Sequence, residues 1–73
     1  MKIEYDPKHD IMNIQFIADA LISESTELEG GIIIDYTQDK QIASIEIMGA
    51  KKRAPQEGLE QINFVIVRDK LEV

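Results

Sequence analysis

The chain has 73 residues and no cysteine, and its 14 acidic and eight basic residues give a net charge of −6 at pH 7. This length predicts a single small domain, residues 1–73, with a thin core, because so short a chain buries only about 60% of its unfolded surface. The lack of cysteine excludes disulfides, thiolate metal sites and a cysteine nucleophile. With a single histidine as well, we expect neither a metal nor a cofactor.

The acidic balance also bears on partners and location. An acidic surface repels phosphate backbones, which argues against direct nucleic-acid binding. No apolar run approaches the ~18 residues of a membrane span, and the amino terminus lacks the long apolar stretch of a signal peptide. We therefore expect a cytoplasmic protein without membrane contact. Its predicted partners are a second copy of itself, which would add burial, or a small basic protein.

The first elements in the chain form a predicted β-hairpin. Residues 2–5 and 11–17 both alternate between apolar and polar side chains, and the polar turn between them contains Pro7. Residues 18–30 allow a helix, a loop or a strand. The alternation of apolar and polar residues favours a short, exposed strand over 21–28, ended by Gly30 and Gly31.

The centre of the chain predicts a second hairpin, formed by residues 31–36 and 42–47. Its first strand contains three consecutive isoleucines, Ile32 to Ile34, so both of its faces are apolar and we expect both to be covered. The second strand alternates. Its predicted faces consist of Ala43, Ile45 and Ile47, and of Ile42, Ser44 and Glu46.

A short helical segment near 50–60 follows, with Pro55 near its first turn. Gly58 weakens it by ~1 kcal/mol relative to alanine. Residues 62–68 alternate again and predict a last strand. Together these elements predict an α+β, mostly β fold, with an antiparallel sheet of five to six strands.

The order of several short motifs resembles a known family. The residues that carry the resemblance are Tyr5-Asp6-Pro7, Asp10, Ile14, Phe16, Gly31, Asp35-Tyr36, Ile45-Glu46-Ile47 and Ala50-Lys51-Lys52-Arg53. They resemble, over about residues 2–53, the short prokaryotic proteins catalogued as domain of unknown function 2283. The resemblance implies a compact β-rich domain without an established activity. Some members look like the antitoxin-side neighbour of a small putative toxin.

Three residues depart from the family pattern. Gly30 stands where proline is common, and Lys51 replaces a serine that often precedes the Lys-Arg pair. Lys40 stands where the central turn usually carries glycine, so we expect Asp39 or Lys40 to adopt the left-handed conformation.

Three polar clusters are candidates for chemistry. Asp6, His9 and Asp10 share one turn and could form a metal or general-base site, but a lone histidine favours the interpretation that both aspartates cap the hairpin and His9 faces water. Asp35 and Glu46 could meet across the sheet as a carboxylate pair, with Glu24 or Glu27 nearby. The alternative is that these acids protect sheet edges and keep the protein soluble.

The third cluster is basic: Lys51, Lys52 and Arg53 could bind an acidic partner, another subunit or a phosphate. The alternative is a solvated turn whose charges balance those of neighbouring glutamates.

The apolar surface is the main functional indication. Ile33, with Val65 and Val67 of the last strand, would form a sheet face without a cover in this chain, unless residues 18–30 fold over it. We therefore predict a protein–protein interaction module or antitoxin-like regulator that acts as a homodimer. The alternative is a small-ligand binder or minor enzyme that uses Asp35, Glu46 and Lys52.

Overall fold

The computed structural model describes residues 1–54 and 59–69, which form one antiparallel sheet and a short 3-10 helix. The five strands are β1 (Lys2–Asp6), β2 (Ile11–Gln15), β3 (Glu24–Leu28), β4 (Ile32–Tyr36) and β5 (Ile42–Met48), and the 3-10 helix is Ala50–Lys52. The strand order in the sheet is β1-β2-β5-β4-β3. The predicted mostly β, antiparallel fold and both predicted hairpins are confirmed.

The last strand in sequence, β5, lies at the centre of the sheet, where it pairs with β2 on one side and β4 on the other. Residues 16–23 therefore have to pass the end of β5 to lead from β2 to β3. The N–H groups of Phe16 and Ile17 donate to the Ala43 carbonyl at 2.8 and 3.2 Å, and the Ser23 N–H donates to the Tyr36 carbonyl at 2.8 Å. These bonds fix the connection to the end of the sheet.

A β-bulge in β5 lies where this connection crosses the end of the strand. Asp35 lies opposite Ser44 but Tyr36 lies opposite Ile42, so Ala43 has no residue directly opposite it. Its freed carbonyl accepts the bonds from the connection, and its small side chain is only 1% exposed. The bulge also overturns one prediction: Ile42 shares a face with Tyr36 rather than with Ser44, because an extra residue reverses the alternation.

The aspartates of the first turn have different roles. Asp6 caps the turn as predicted, since its Oδ1 accepts the N–H groups of Lys8 and His9 at 2.9 and 3.3 Å. Asp10 instead binds the start of the 3-10 helix: its carboxylate accepts the Lys51 N–H at 3.1 Å and the Tyr5 hydroxyl at 2.7 Å. One aspartate therefore joins the first hairpin to the segment after β5, 41 residues later.

The predicted exposed strand over 21–28 is confirmed, with Glu24–Leu28 as its observed bounds, and every residue of it is exposed. It forms one edge of the sheet and β1 forms the other. In the turn between β4 and β5, Lys40 has a φ of 70°, as expected for the residue that replaces glycine. Its Nζ lies 2.7 Å from a carboxylate oxygen of Glu24, across the turn from β3.

The prediction of a last strand over 62–68 is wrong. Residues 61–69 have no regular secondary structure and are exposed, because a strand requires a paired neighbour and neither sheet edge pairs with this segment. The predicted helical segment is confirmed at its start by the 3-10 helix, whereas Pro55 to Gly58 lie outside the described residues. The described part of the chain contains no helix that is long and apolar enough to cross a membrane.

The hydrogen bond between Tyr5 and Asp10 predicts an unusual titration. The bond and the nearby carboxylate charge favour the neutral phenol and raise the pKa of Tyr5 to about 12. The stabilising contribution of this bond is therefore complete below pH ~10, the ordinary pKa of tyrosine, and is lost as the pH rises through the folded-state value.

In a Tyr36→Phe background, absorbance at 295 nm should report a Tyr5 midpoint near the raised value, while circular dichroism confirms that the chain stays folded. The additional change Asp10→Asn should lower the midpoint by more than one unit, and Asp39→Asn should leave it unchanged. A midpoint of about 10 in the Tyr36→Phe background would contradict the hydrogen bond.

The left-handed backbone of Lys40 predicts a stabilising substitution. A side chain at this φ costs about 1–2 kcal/mol that glycine avoids, partly offset by the greater freedom of glycine in the unfolded chain. In a Glu24→Gln background, where no ion pair is lost, Lys40→Gly should raise the free energy of unfolding by about 1 kcal/mol in urea denaturation. Lys40→Val should lower the free energy of unfolding. A lower free energy of unfolding for Lys40→Gly would contradict the inference that the backbone at residue 40 is strained.

Candidate functional site

The strand register divides the side chains of the sheet between two faces of different chemistry. Directly opposite residues of antiparallel strands point to the same side, and successive residues alternate. We call one side the apolar face. It consists of Ile3, Tyr5, Met12, Ile14, Glu24, Thr26, Leu28, Ile32, Ile34, Tyr36, Ile42, Ile45 and Ile47. Glu24 is its only charged residue.

The opposite side, which we call the polar face, carries most of the charge. It consists of Lys2, Glu4, Asp6, Ile11, Asn13, Gln15, Ser25, Glu27, Ile33, Asp35, Ser44, Glu46 and Met48. Of the six acidic residues in the strands, all except Glu24 lie here. The acidic character of the sheet is therefore concentrated on the side away from its apolar residues.

Among the described residues after the 3-10 helix, Ala54 and Leu59 cover one end of the apolar face. Met12 and Ile47 lie opposite each other at that end. They line an apolar groove of about 210 Å³ together with Leu59, which is 8% exposed, and the neighbouring Ala54. Away from this end, the apolar side chains of the central strands are only half-buried.

The predicted alternative cover, residues 18–30, does not lie over the apolar face. Residues 21–30 are all exposed, and part of the segment forms the edge strand β3. The side chains of Ile17 and Ala20 instead line a groove with Asn13 and Gln15, on the polar side of the sheet. Among the described residues, no large side chain is fully buried. The described residues thus leave the side chains of the apolar face incompletely buried.

A second apolar surface lies in residues 62–67, which we call the C-terminal segment. Its sequence is Ile-Asn-Phe-Val-Ile-Val, and all of its apolar side chains are exposed, with Phe64 at 73% and Val67 at 87%. None of the backbone hydrogen bonds found among the described residues outside the strands and helix involves this segment. The chain therefore exposes two apolar surfaces, one broad and one extended.

The predicted carboxylate pair occupies the polar face, but its members have separate surroundings. The Asp35 carboxylate accepts the Ser44 hydroxyl at 2.8 Å and the Ser25 hydroxyl at 2.5 Å, from the strands on either side. Glu46 lies opposite Ile33 and is only a diagonal neighbour of Asp35. Two serines thus hold Asp35 in a cross-strand hydrogen-bond network, which is a structural role.

The Asp6 and His9 side chains form a local pair at the tip of the first turn. His9 Nδ1 lies 2.7 Å from Asp6 Oδ2. This hydrogen bond, with smaller contributions from the backbone N–H groups of His9 and Lys8, holds the pKa of Asp6 below its ordinary value. Asp10 faces away toward Tyr5 and Lys51. Within residues 1–54 and 59–69, no group of three or more histidine or acidic side chains could hold a metal ion.

The basic cluster borders an open pocket of about 550 Å³, lined in part by Lys52 and Arg53 with glycines from two turns. The Arg53 guanidinium donates a hydrogen bond to the Gly30 carbonyl. Gly30 has a φ of 91°, and a Cβ there would lie 2.8 Å from Arg53 Nη2. Arg53 therefore ties the β3–β4 turn to the segment after β5, while Lys51 and Lys52 are exposed. A binding role for this cluster remains a prediction.

The residues predicted for an interaction surface do not lie together. Ile33 is half-buried on the polar face, between Glu27 and Glu46, whereas Val65 and Val67 belong to the C-terminal segment. Their roles in binding remain predictions. Sequence reasoning missed the neighbouring Ile34, at the centre of the apolar face. The alternation in β2 and β5 indicates that each strand has an apolar side. Only the strand register shows that Ile34 lies on the same face as those apolar sides.

Comparison with known proteins adds one positive finding. The family model described as protein of unknown function (DUF2283) matches residues 2–51, which include all five strands and the first two residues of the 3-10 helix. No curated protein and no solved structure matches the chain. The resemblance carried by Tyr5, Asp10 and Asp35 is therefore confirmed over more than half of the sequence. The chain belongs to the DUF2283 family of proteins of unknown function.

Proposed function

We propose that this chain is a protein–protein interaction module that assembles with a second copy of itself through the apolar face. The observation that carries this proposal is the separation of the two faces of the sheet. One face is mostly apolar, with Glu24 as its only charged strand residue, and the cover that the described residues provide lies at the end near Leu59. Large exposed apolar surfaces are rare on monomers and usually mark an interaction site.

The burial available within one chain supports this proposal. Complete burial of one isoleucine or leucine side chain contributes about 1.5–3 kcal/mol, but the isoleucines of the central strands are only half-buried. A chain of this size without cysteine has no disulfide to compensate for a thin core. Packing the apolar face of each copy against its partner would add the second layer that a lone sheet lacks.

The placement of charge removes the main objection to self-association. A net charge of −6 on each copy would oppose a dimer. However, the acids of the strands lie on the polar face, except Glu24, whose carboxylate is 2.7 Å from Lys40 Nζ. Apolar contact between the two copies would therefore bring no unpaired strand carboxylate into the interface and would turn the acidic residues outward.

A second candidate function uses the polar face. Its five strand acids would suit a small basic protein, the kind of partner that an antitoxin-like regulator would bind. The two functions are compatible because they use opposite sides of the sheet. Charge complementarity of this kind mainly accelerates association and is screened by salt. A carboxylate-pair enzyme or small-ligand site is less well supported, because serines occupy both oxygens of Asp35.

Matched substitutions on the two faces test the first proposal. Ile34→Lys should weaken the dimer by at least ~100-fold in sedimentation equilibrium, because each copy would place a charge in the apolar interface. Ile33→Lys, one residue earlier and on the polar face between Glu27 and Glu46, should leave the dimer intact. Circular dichroism reports folding of both variants.

Thr26→Lys provides the same test at an exposed position of the apolar face, in case Ile34→Lys does not fold. Its control is Ser25→Lys, on the polar face of the same strand. Equal dimer dissociation constants for Thr26→Lys and Ser25→Lys would show that the apolar face is not the assembly surface.

The second candidate function predicts a charge-dependent interaction. A decalysine peptide should bind the chain with an affinity that falls as sodium chloride is raised, and Glu27→Gln with Glu46→Gln should weaken it by roughly threefold to tenfold in calorimetry. Glu24→Gln, on the apolar face, is the control and should have little effect. If Glu24→Gln had the same effect as the double variant, binding would reflect net charge alone.

A further inference from the structure

The C-terminal segment and the apolar face are complementary surfaces of the same chain. The segment exposes five apolar side chains in six residues, Ile62 to Val67. Among residues 1–54 and 59–69, the face is covered at the groove that Leu59 lines, and its other side chains are half-buried or exposed. We propose that the C-terminal segment of each copy packs on the apolar face of a second copy, so that the two chains exchange these segments reciprocally. This inference rests on the proposed function and names the element that completes the interface.

The composition of the segment suits a contact with two apolar layers. Ile62, Phe64 and Ile66 point to one side of an extended chain, and Val65 and Val67 point to the other. Extended segments with apolar residues on both sides are buried on both sides in folded proteins. The segment is rich in β-branched residues, which favour this conformation. In the single chain its apolar side chains on both sides are 56% to 87% exposed.

The area involved is sufficient for a stable dimer. Side chains with these exposed fractions present on the order of 600 Å², the upper end of the largest apolar patch found on ordinary monomers. In a two-fold symmetric dimer the segment and the face that it covers are each buried twice. The total is then roughly 2,400 Å² at complete burial, above the range of about 1,200–2,000 Å² for standard stable interfaces.

Charge also favours a second copy as the occupant. The C-terminal segment contains no charged residue, and the only acid of the apolar face, Glu24, lies at the edge strand beside Lys40. A basic partner would be drawn instead to the polar face, where the other strand acids lie. The segment and the face match in chemistry, and every copy supplies both.

Substitutions in the full-length chain test the exchange by its effect on assembly. Phe64→Asn combined with Ile66→Asn should raise the dimer dissociation constant by about 100-fold. Both side chains are exposed in the single chain, so the sheet should stay folded. The matched control is Leu21→Asn, because Leu21 is an equally exposed apolar residue, at 88%, but lies outside both surfaces. An unchanged dissociation constant in the double variant would overturn the exchange while leaving dimerisation itself intact.

Cross-linking tests which chain receives the segment. Because the chain has no native cysteine, only the introduced thiols can react with the cross-linker. A ¹⁵N-labelled Phe64→Cys chain, mixed with an unlabelled Ile34→Cys chain and a short bis-maleimide, should give a mixed-label dimer in mass spectrometry. Replacing Ile34→Cys with Ile33→Cys moves the thiol to the polar face and should abolish the product.

Three results would contradict the exchange. A Phe64→Cys, Ile34→Cys double variant that cross-links only within one chain would show that the segment folds back on its own sheet. A parent chain that is monomeric at every concentration would overturn both the exchange and the proposed self-assembly. A dimer without the mixed-label product would overturn the exchange alone.

Discussion

The pairing of β5 with both β2 and β4 is the interaction on which the rest of the structure depends. It brings Ile45 and Ile47 into line with Ile14 and Met12 on one side and with Ile34 and Ile32 on the other. The same register puts Glu46 and Ser44 on the opposite face. A shift by one residue would exchange the two faces of β5, so the register determines both the apolar surface and the separation of charge from it.

Polar contacts hold the strands and turns of this sheet together. Asp10 joins the first hairpin to the 3-10 helix, Arg53 joins the β3–β4 turn to the same region, and Asp35 links three strands through two serines. These residues would otherwise be candidates for chemistry. In this fold their hydrogen bonds hold the strands and turns that present the apolar face.

The hairpins, the exposed strand β3 and the left-handed Lys40 could all be predicted, because alternation and turn chemistry are local properties. The bulge at Ala43 could not, since it depends on the connection that crosses the end of β5. The placement of Ile33 also required the register. Residues 62–68 have the composition of a strand but no paired neighbour, and composition cannot supply a partner. That mismatch motivates the proposed exchange between chains.

The most direct measurement is the absolute mass of the parent chain in solution, by light scattering after gel filtration, over a dilution series from millimolar to nanomolar concentration. Self-assembly through the apolar face predicts twice the 8.3 kDa of one chain at high and intermediate concentration, largely independent of salt because the interface is apolar. A mass of one chain throughout, with the sheet intact by circular dichroism, would contradict it.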